Sequence, residues 1–507
     1  MHLLLITSAV GAIMTTGQPF NLTRTLRNQI THDASKLFSK ASFNRKLDFS
    51  GTRLQSTCSS PSSLPALTIL PGPMLPPGMV GLSFQKNNLG KPQGLFNATN
   101  RNFILLLKAL GATDLRLGGD PTDVSKWDIT GINRSVSNYV TPADIDALAG
   151  FAKAANVSVI YGIRFIGNTV DLAVSEATYV KKKLGARLKA FEIGNEPNFY
   201  TQVSPSQFIS GWLQFQAGIS KASPSAKFSG PAFNPNTPNR IDFLTSFVMS
   251  TAPSLDLLTL HYYHSIPSSS NADLTDVLFR PDASSLNGLN VSMHLSRQFN
   301  IIGGVRVDEC NPYALSTLSN NNFGTALWAI QYLLTLSSYG IEGANFHTNA
   351  QGTTPLHGSS IQFDVVTGQV IGIRPIFYGL FFFAKFGSGR ILQLKKTNLN
   401  ADIGVIENKA GGISIAIVNT DPSNQLVINV NIPSDRYKTF YGYLLTAPSV
   451  NSVSDITFAG STIGIDGSWS PTAVDVLQIC LGGSTGHVQV KVPPGSAYLV
   501  RSSPFAP

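Results

Sequence analysis

Short apolar runs alternate with longer amphipathic segments through the central part of the chain. Eight of these runs are rich in β-branched and aromatic residues and are predicted to be strands, at residues 80–84, 113–117, 157–163, 190–193, 227–229, 257–261, 305–308 and 342–347. Helical spacing marks seven segments, at residues 102–110, 142–155, 172–184, 205–222, 240–249, 324–339 and 375–386. Runs without polar positions, such as VSVIYGI, are typical of strands buried on both faces. The alternation predicts an α/β protein with a (β/α)8 TIM barrel at residues 80–387, rather than a doubly wound sheet.

The pattern changes to strands and turns after residue 387. Segments such as ISIAIVN, LVINVNI and VQVKVPPGSAYLVR alternate in the manner of half-buried strands. We therefore expect a C-terminal antiparallel β-sandwich domain at residues 388–507. Before the barrel, residues 61–79 are crowded with Ser and Pro, and we expect an extended lead-in with one short strand at 67–70.

The first sixty residues follow neither pattern. Residues 3–14 are apolar and have the length of the hydrophobic region of a signal peptide, although only His2 precedes them in place of a basic start. We expect a secreted protein, the alternative being a buried start of the chain. Seven Lys and Arg between residues 24 and 53 accompany two Asp, which predicts a solvated, poorly ordered basic extension. Secretion would make glycosylation sites of the Asn-x-Ser/Thr sequons at Asn21, Asn97, Asn133, Asn156 and Asn290.

Composition and charge exclude several classes of protein. Apolar residues make up 43% of the chain and charged residues 13%, which indicates a well-packed globular protein. A net charge of +9 over 507 residues gives a thin positive field, so we expect no nucleic-acid partner. No run approaches the roughly 18 apolar residues of a membrane span, so we expect no stable membrane insertion.

Cysteine and histidine spacing points to no metal or cofactor. Cys58, Cys310 and Cys480 are odd in number and widely spaced, which excludes a disulfide scaffold and a CxxC site but leaves one bridge open. The eight His residues show no HExxH spacing, so a metal hydrolase is disfavoured.

Two glutamates stand where a TIM barrel carries its chemistry, at the C-terminal ends of strands. FEIGNEPNFY places Glu196 just past the fourth strand, and VRVDECNPYA places Glu309 at the end of the seventh. Glycoside hydrolysis needs such a pair, one carboxyl to protonate the leaving oxygen and one to attack or to activate water. A lone Glu is more often an ordinary loop acid, but both placements together with the Asn-Glu-Pro tripeptide favour catalysis.

These motifs resemble the clan of TIM-barrel retaining glycosidases, and within it the heparanase and β-glucuronidase family, glycoside hydrolase family 79. The matching stretches are LRLGGD at 115–120, FEIGNEPNF at 191–199, LHYY at 260–263, VDECN at 307–311 and FGTALWAIQYLL at 323–334. The resemblance implies that Glu196 is the general acid/base, Glu309 the nucleophile and Asn195 the partner of the substrate 2-hydroxyl. It also implies a β-sandwich that takes a strand from before the barrel, a place that the run at 67–70 would fill.

Further site residues are proposed around this pair. The resemblance suggests His261 and Tyr263 at the sugar, and we add Tyr313 as a second phenol, although a buried Tyr is equally often a core residue. Arg116 is expected to brace the carboxylates or to form a structural salt bridge, and Asp120 to touch the sugar. Trp127 and Trp469 are more often packing residues than stacking surfaces. Departures from the family put the sugar specificity in doubt, namely Gln85 after the first strand and Cys310 and Pro312 after the nucleophile.

The leading functional hypothesis is an exo-acting retaining β-glucuronidase. Its substrate would be a carbohydrate with a β-linked glucuronic acid or 4-O-methyl-glucuronic acid, in glycosides or proteoglycan-like polysaccharides. The alternatives are an endo-β-glucuronidase of the heparanase type, a neutral-sugar β-glycosidase and a catalytically inactive carbohydrate-binding protein. Retention requires the two carboxyl groups to lie about 5 to 5.5 Å apart, with no room for water between Glu309 and the anomeric carbon.

Overall fold

The central part of the chain forms a closed barrel of eight parallel strands, which confirms the predicted fold class. The computed structural model describes residues 72–505 with the exception of 91–93, 135, 137, 236–237, 265–282, 313–321, 349–358, 397–400, 434–436, 438, 479 and 483–484. Each barrel strand pairs with the next along the chain, and the eighth pairs with the first. The strands are Val80–Gln85, Asp114–Gly118, Ser158–Ile163, Leu188–Ile193, Phe228–Phe233, Leu257–Tyr263, Val305–Asn311 and Gly343–Thr348.

Eight α-helices of the described residues surround the barrel. They are α1 Arg101–Ala109, α2 Pro142–Ala155, α3 Val170–Leu184, α4 Pro205–Ala222, α5 Pro238–Thr251, α6 Ala283–Gln298, α7 Phe323–Tyr339 and α8 Pro375–Phe386. Capping boxes at Thr141 and Ser204 begin α2 and α4, each with proline at the first helical position. Helix α6 was not predicted, because its sequence ASSLNGLNVSMHLSRQ is rich in Ser and Asn and has only a weak apolar stripe.

Charged side chains fill the N-terminal end of the barrel. The Arg306 guanidinium donates from Nη1 to Glu342 Oε2 at 2.6 Å and lies 3.2 Å from Asp114 Oδ2. Lys189 Nζ joins the same two acids, at 2.6 Å from Glu342 and 3.0 Å from Asp114. Arg306 is fully buried. This ion-pair network occupies the end of the barrel opposite the carboxyl ends of the strands, which are the catalytic end of TIM barrels.

Among the described residues, two antiparallel sheets are built mainly from strands that follow α8. The larger one contains Met74–Leu75, Gly389–Lys396, Ala401–Glu407, Ile413–Asn419, Ser496–Arg501, Thr439–Thr446, Thr457–Phe458 and Asp475–Gln478. The smaller one contains Leu426–Pro433, Thr485–Val492 and Cys480–Gly482. Strand Met74–Leu75, which precedes the barrel, pairs with Gly389 and Arg390. The strand predicted at 67–70 lies outside the described residues.

The larger sheet has two buried faces. Along strand Ile413–Asn419, Ile415 and Ile417 belong to the core between the two sheets, whereas Ala416 and Val418 belong to the core shared with the barrel. The period of two places successive side chains on opposite faces, so one strand serves both cores. On the barrel side, Gln331 of α7 donates a hydrogen bond to Asp402 of the sheet. No helix in the described part of the chain is long and apolar enough to cross a membrane.

Candidate active site

Glu196 and Glu309 both lie at the C-terminal mouth of the barrel. Glu196 follows the fourth strand in a turn where its own φ is 46° and that of Gly194 is 79°. The Glu196 N–H donates to Ala232 O at 2.9 Å, which ties this turn to the fifth strand. Glu309 lies within the seventh strand, and its side chain is 9% exposed, compared with 20% for Glu196. The sequence-predicted pair thus comes from opposite sides of the barrel.

Arg116 of the second strand connects the residues of this mouth. Its fully buried guanidinium donates from Nη1 to Glu309 Oε2 and from Nη2 to Asn195 Oδ1 at 2.9 Å. Nε donates to Glu192 Oε2 at 2.8 Å. The surrounding carboxylates raise the pKa of Arg116 against the opposing effect of its burial, so it stays a cation. One guanidinium therefore fixes the positions of Glu309 and Asn195 together.

His261 of the sixth strand lies between Arg116 and Glu196. Its Nε2 is 3.2 Å from Arg116 Nη2, and its Nδ1 is 2.9 Å from Glu196 Oε1. Since a guanidinium can only donate, the contact with Arg116 is a hydrogen bond in the tautomer that carries its proton on Nδ1, from which the imidazole donates to Glu196. A continuous chain of hydrogen bonds thus joins Glu196 to Glu309 through His261 and Arg116.

Glu309 is held in its ionised form. Tyr263 donates from its hydroxyl to Glu309 Oε1 at 2.5 Å, on the side opposite Arg116. Burial alone would raise the pKa of Glu309, but His347, His261, Arg116 and the Tyr263 hydroxyl outweigh it and lower the pKa below its ordinary value. Burial and the adjacent Glu309 raise the pKa of Tyr263, so its hydroxyl remains a donor. This carboxylate is suited to nucleophilic attack at neutral pH.

The barrel interior contains ionisable residues that the sequence reasoning missed. Glu192 and Asp308 are fully buried, and Thr259 donates to Glu192 Oε1 at 3.1 Å. Burial and the neighbouring Glu192 carboxylate raise the pKa of Asp308 well above its ordinary value. The strand register shifts between Val307 and Glu309, so strand alternation does not predict where these neighbouring acids point. The signal in the sequence that could have identified both acids is an ionisable residue inside an otherwise apolar strand.

His347 of the eighth strand was also missed. Its Nδ1 lies 3.2 Å from Ser83 Oγ and 3.7 Å from Glu309 Oε2, and the residue is 3% exposed. The apolar run at 342–347 predicts a strand, and a polar residue at the C-terminal end of such a strand is the same signal that identifies Glu309.

The other predicted residues differ in their placement. Asp120 accepts from Asn195 Nδ2 at 3.3 Å and is exposed, whereas Tyr313 lies outside the described residues. Trp127 donates to Ser175 at 3.0 Å and Trp469 stacks on Phe458, so both indoles make packing contacts.

The Cys310 thiol next to Glu309 is buried and forms no disulfide. Burial and the neighbouring Glu309 raise its pKa well above the ordinary value, which disfavours a thiolate. Among the described residues, no group of three or more His, Cys, Asp or Glu side chains is arranged to hold a metal ion.

The fold is that of several solved TIM-barrel glycoside hydrolases. A 4-O-α-L-rhamnosyl-β-D-glucuronidase from Fusarium oxysporum 12S, in complex with Rha-GlcA, superimposes with a TM-score of 0.69 at 18% identity over 87% of this chain and 99% of that chain. The family 51 α-L-arabinofuranosidase AbfB from Bifidobacterium longum gives 0.62 at 16% identity over 86% and 98%. A family 44 xyloglucanase from Paenibacillus polymyxa gives 0.57 at 10% identity over 85% and 97%. No protein-family model and no curated protein matches the chain.

Proposed function

We propose that the protein is a retaining glycoside hydrolase with Glu196 as general acid/base and Glu309 as nucleophile. The observation that carries this proposal is the hydrogen-bonded chain Glu196–His261–Arg116–Glu309 across the barrel mouth. The two carboxyl groups have different surroundings, which acid and nucleophile require. Glu309 is buried between two donors, whereas Glu196 is more exposed and is bonded by the His261 imidazole. A carbohydrate-binding protein would have no need of this asymmetry.

The chemistry follows as a double displacement. A Glu309 carboxylate oxygen attacks the anomeric carbon while Glu196 donates its proton to the departing glycosidic oxygen, which leaves a glycosyl ester on Glu309. Glu196, now ionised, takes a proton from a water molecule, whose oxygen attacks the same carbon. The ester bond breaks, Glu309 returns as a carboxylate and Glu196 is again protonated. Arg116 and Tyr263 keep the Glu309 carboxylate in place before attack and after release.

The substrate we propose is a β-linked glucuronic acid or its 4-O-methyl form. Two observations support it: the motifs shared with the β-glucuronidase family and the similarity in fold to the Fusarium glucuronidase.

The test is a panel of 4-nitrophenyl glycosides with an NMR assay of stereochemistry. We expect hydrolysis of the β-glucuronide with the β-anomer of the free sugar as first product. Hydrolysis of a β-glucoside, β-galactoside or α-L-arabinofuranoside but not of the glucuronide would contradict the uronic-acid assignment. If no glycoside is hydrolysed and a mechanism-based β-glucuronide aziridine forms no covalent adduct, the protein is a binding protein. On an oligosaccharide substrate, release of glucuronic acid alone indicates exo action, and release of larger fragments indicates the endo alternative.

A further inference from the structure

The backbone of Glu196 adopts an unusual conformation. Its φ of 46° and ψ of 56° lie in the left-handed region, which is unfavourable for a residue with a side chain. Such a conformation persists only where the surroundings over-determine it, and it is concentrated at functional sites. The Ala232 carbonyl, which accepts the Glu196 N–H, belongs to a residue that is itself left-handed, with φ 56°. The fifth strand therefore holds the Asn195–Glu196 turn on one side.

One carboxylate ties this turn to two other loops. Asp123 Oδ1 accepts hydrogen bonds from the backbone N–H groups of Phe165 and Ile166, at 2.8 and 3.1 Å. Its Oδ2 accepts from the N–H of Asn195, at 3.2 Å, and from the Tyr200 hydroxyl. Asp123 follows the second strand, Phe165 the third and Asn195 the fourth. The loops after three consecutive strands thus meet at Asp123.

Tyr200 completes the attachment from the far end of the turn. Its hydroxyl accepts from the Asn195 N–H at 3.0 Å while it donates to Asp123, so the Asn195 N–H is shared between the two. The ring lies parallel to that of Phe165, at 6.1 Å between centroids. Burial and the Asp123 carboxylate raise the pKa of Tyr200, so its hydroxyl stays protonated. A Cβ on Gly194 would lie 2.7 Å from this hydroxyl, which explains why the turn begins with glycine.

We propose that Asp123 and Tyr200 are positioning residues for Glu196, which hold the Asn195–Glu196 turn in its left-handed conformation and thereby aim the acid/base carboxyl at the glycosidic oxygen. Both act on the backbone N–H of Asn195, one residue before Glu196. This inference rests on the proposed function, because only a general acid needs to be aimed at a glycosidic oxygen. Whether Asp123 and Tyr200 hold the turn in its conformation can be measured without that function. Loosening the turn misplaces a general acid and leaves the nucleophile bound to Arg116 and Tyr263.

The expected consequence is a loss of kcat/KM whose size depends on the leaving group of the substrate. Protonation by a general acid matters most when the departing group is a poor one, and small misplacements are costly. We therefore compare kcat/KM of the wild type, Tyr200→Phe and Asp123→Asn on phenyl β-glucuronide and on 4-nitrophenyl β-glucuronide. We expect a loss of about tenfold or more with the phenyl substrate and of about twofold with the nitrophenyl substrate. A merely structural role would lower both values by the same factor.

The chain offers matched controls for both substitutions. Tyr179 of α3 also donates its hydroxyl to an aspartate, Asp146 of α2, at 3.1 Å on the outside of the barrel. Asp128 also accepts from backbone N–H groups of a loop, those of Thr130 at 3.0 Å and Asn133 at 2.8 Å. Tyr179→Phe and Asp128→Asn should leave the ratio of the two kcat/KM values unchanged. Equal losses on both substrates, or losses no larger than those of the controls, overturn the proposal.

A second measurement does not depend on activity. In crystal structures of Tyr200→Phe and Asp123→Asn we expect Glu196 to leave the left-handed region or to occupy two conformations. A turn unchanged in both variants overturns the proposal even if the kinetics differ. If the wild type hydrolyses no glycoside, the proposed function fails, and these structures still decide whether Asp123 and Tyr200 hold the turn.

Discussion

At the scale of single residues, the environment rather than the residue type separates the two glutamates. Glu309 is bonded by Arg116 and Tyr263, both of which favour its ionised form. Glu196 is bonded by His261, which also contacts Arg116. The proposed acid and the proposed nucleophile, although of the same chemical type, are thus distinguished by the residues that surround them.

Removal of each carboxyl should have its own signature. Glu309→Ala should reduce turnover of the β-glucuronide to background, because the proposed ester forms on the Glu309 carboxylate. Glu196→Ala should lower kcat/KM roughly 10²- to 10⁴-fold for a substrate with a poor leaving group. Azide should restore turnover of a substrate with an activated leaving group, with formation of the β-glycosyl azide. Product analysis by NMR distinguishes these outcomes. Glu407→Ala in the C-terminal sheet is the control, and absence of azide rescue would argue against Glu196 as acid/base.

The Tyr263 hydroxyl should set the acidic limb of the pH profile. It donates to Glu309 and so lowers the pKa of that carboxyl. In Tyr263→Phe this stabilisation of the anion is lost, the pKa of Glu309 rises, and a protonated Glu309 cannot attack. We expect the acidic limb of kcat/KM to move to higher pH, with a loss of about tenfold at neutral pH. Tyr179→Phe should leave the limb in place, and a shift to lower pH would contradict this role.

The sequence predicted this site in part. Glu196, Glu309 and Arg116 were predictable because polar residues at strand ends stand out against apolar strands. Asp123 and Tyr200 were not, because they act through a backbone N–H, and the residue pattern does not report which loops meet. Glu192 and Asp308 lie within strands, where an apolar core was expected. The roles assigned to Asn195, His261 and Asp120 toward the sugar stay predictions.

At the scale of elements, the apolar pattern located the eight strands but ended three of them two or more residues too early. The fifth was expected at 227–229, the sixth at 257–261 and the seventh at 305–308, whereas the structure has Phe228–Phe233, Leu257–Tyr263 and Val305–Asn311. Each extension runs into the barrel mouth. In the seventh strand, Glu309 accepts hydrogen bonds from Arg116 and Tyr263, so the strand continues although its hydrophobicity stops.

The ion-pair network at the N-terminal end of the barrel strands should control the stability of the protein in acid. Burial opposes ionisation of Glu342, but Arg306 and Lys189 outweigh it and lower its pKa to about 2. Since the folded pKa is below the unfolded one, the stabilisation is present above the ordinary value of 4.5 and is lost as the pH falls toward 2. Glu342→Gln should lower the free energy of unfolding at neutral pH by about 1–3 kcal/mol. In urea titrations the difference from wild type should shrink below about pH 4.

This ion-pair network lies at the opposite end of the barrel strands from the proposed chemistry. Glu342 lies just before the eighth strand, at the N-terminal end, while Glu309 lies near the C-terminal end of the seventh. Glu342→Gln should therefore leave kcat/KM at neutral pH unchanged. A stability difference that is the same at all pH values would show that the charge of Glu342 is not what stabilises the barrel.

At the scale of the whole molecule, the barrel and the larger sheet share one apolar core. Helices α7 and α8 contribute to it from the barrel side, and Ala416, Val418 and Tyr443 from the sheet. The sequence predicted a change of architecture at residue 388, but it did not predict that α8 would be covered, because an almost wholly apolar helix fits a barrel exterior or an interface equally well. The boundaries at 80 and 387 stay predictions.

Substitution of Phe381 tests whether this shared core makes the two parts unfold together. Phe381 of α8 is 1% exposed and packs edge-on against Trp469 at 5.6 Å and against Phe458 at 6.2 Å. Phe381→Ala leaves a cavity between barrel and sheet and should cost about 3–5 kcal/mol of unfolding free energy. Because both parts lose contacts, calorimetry should give one transition at lower temperature, coincident with the loss of tryptophan fluorescence. Val366→Ala, at a position that is 79% exposed, should change little. Two separate transitions in the variant would mean that each part is stable without the interface.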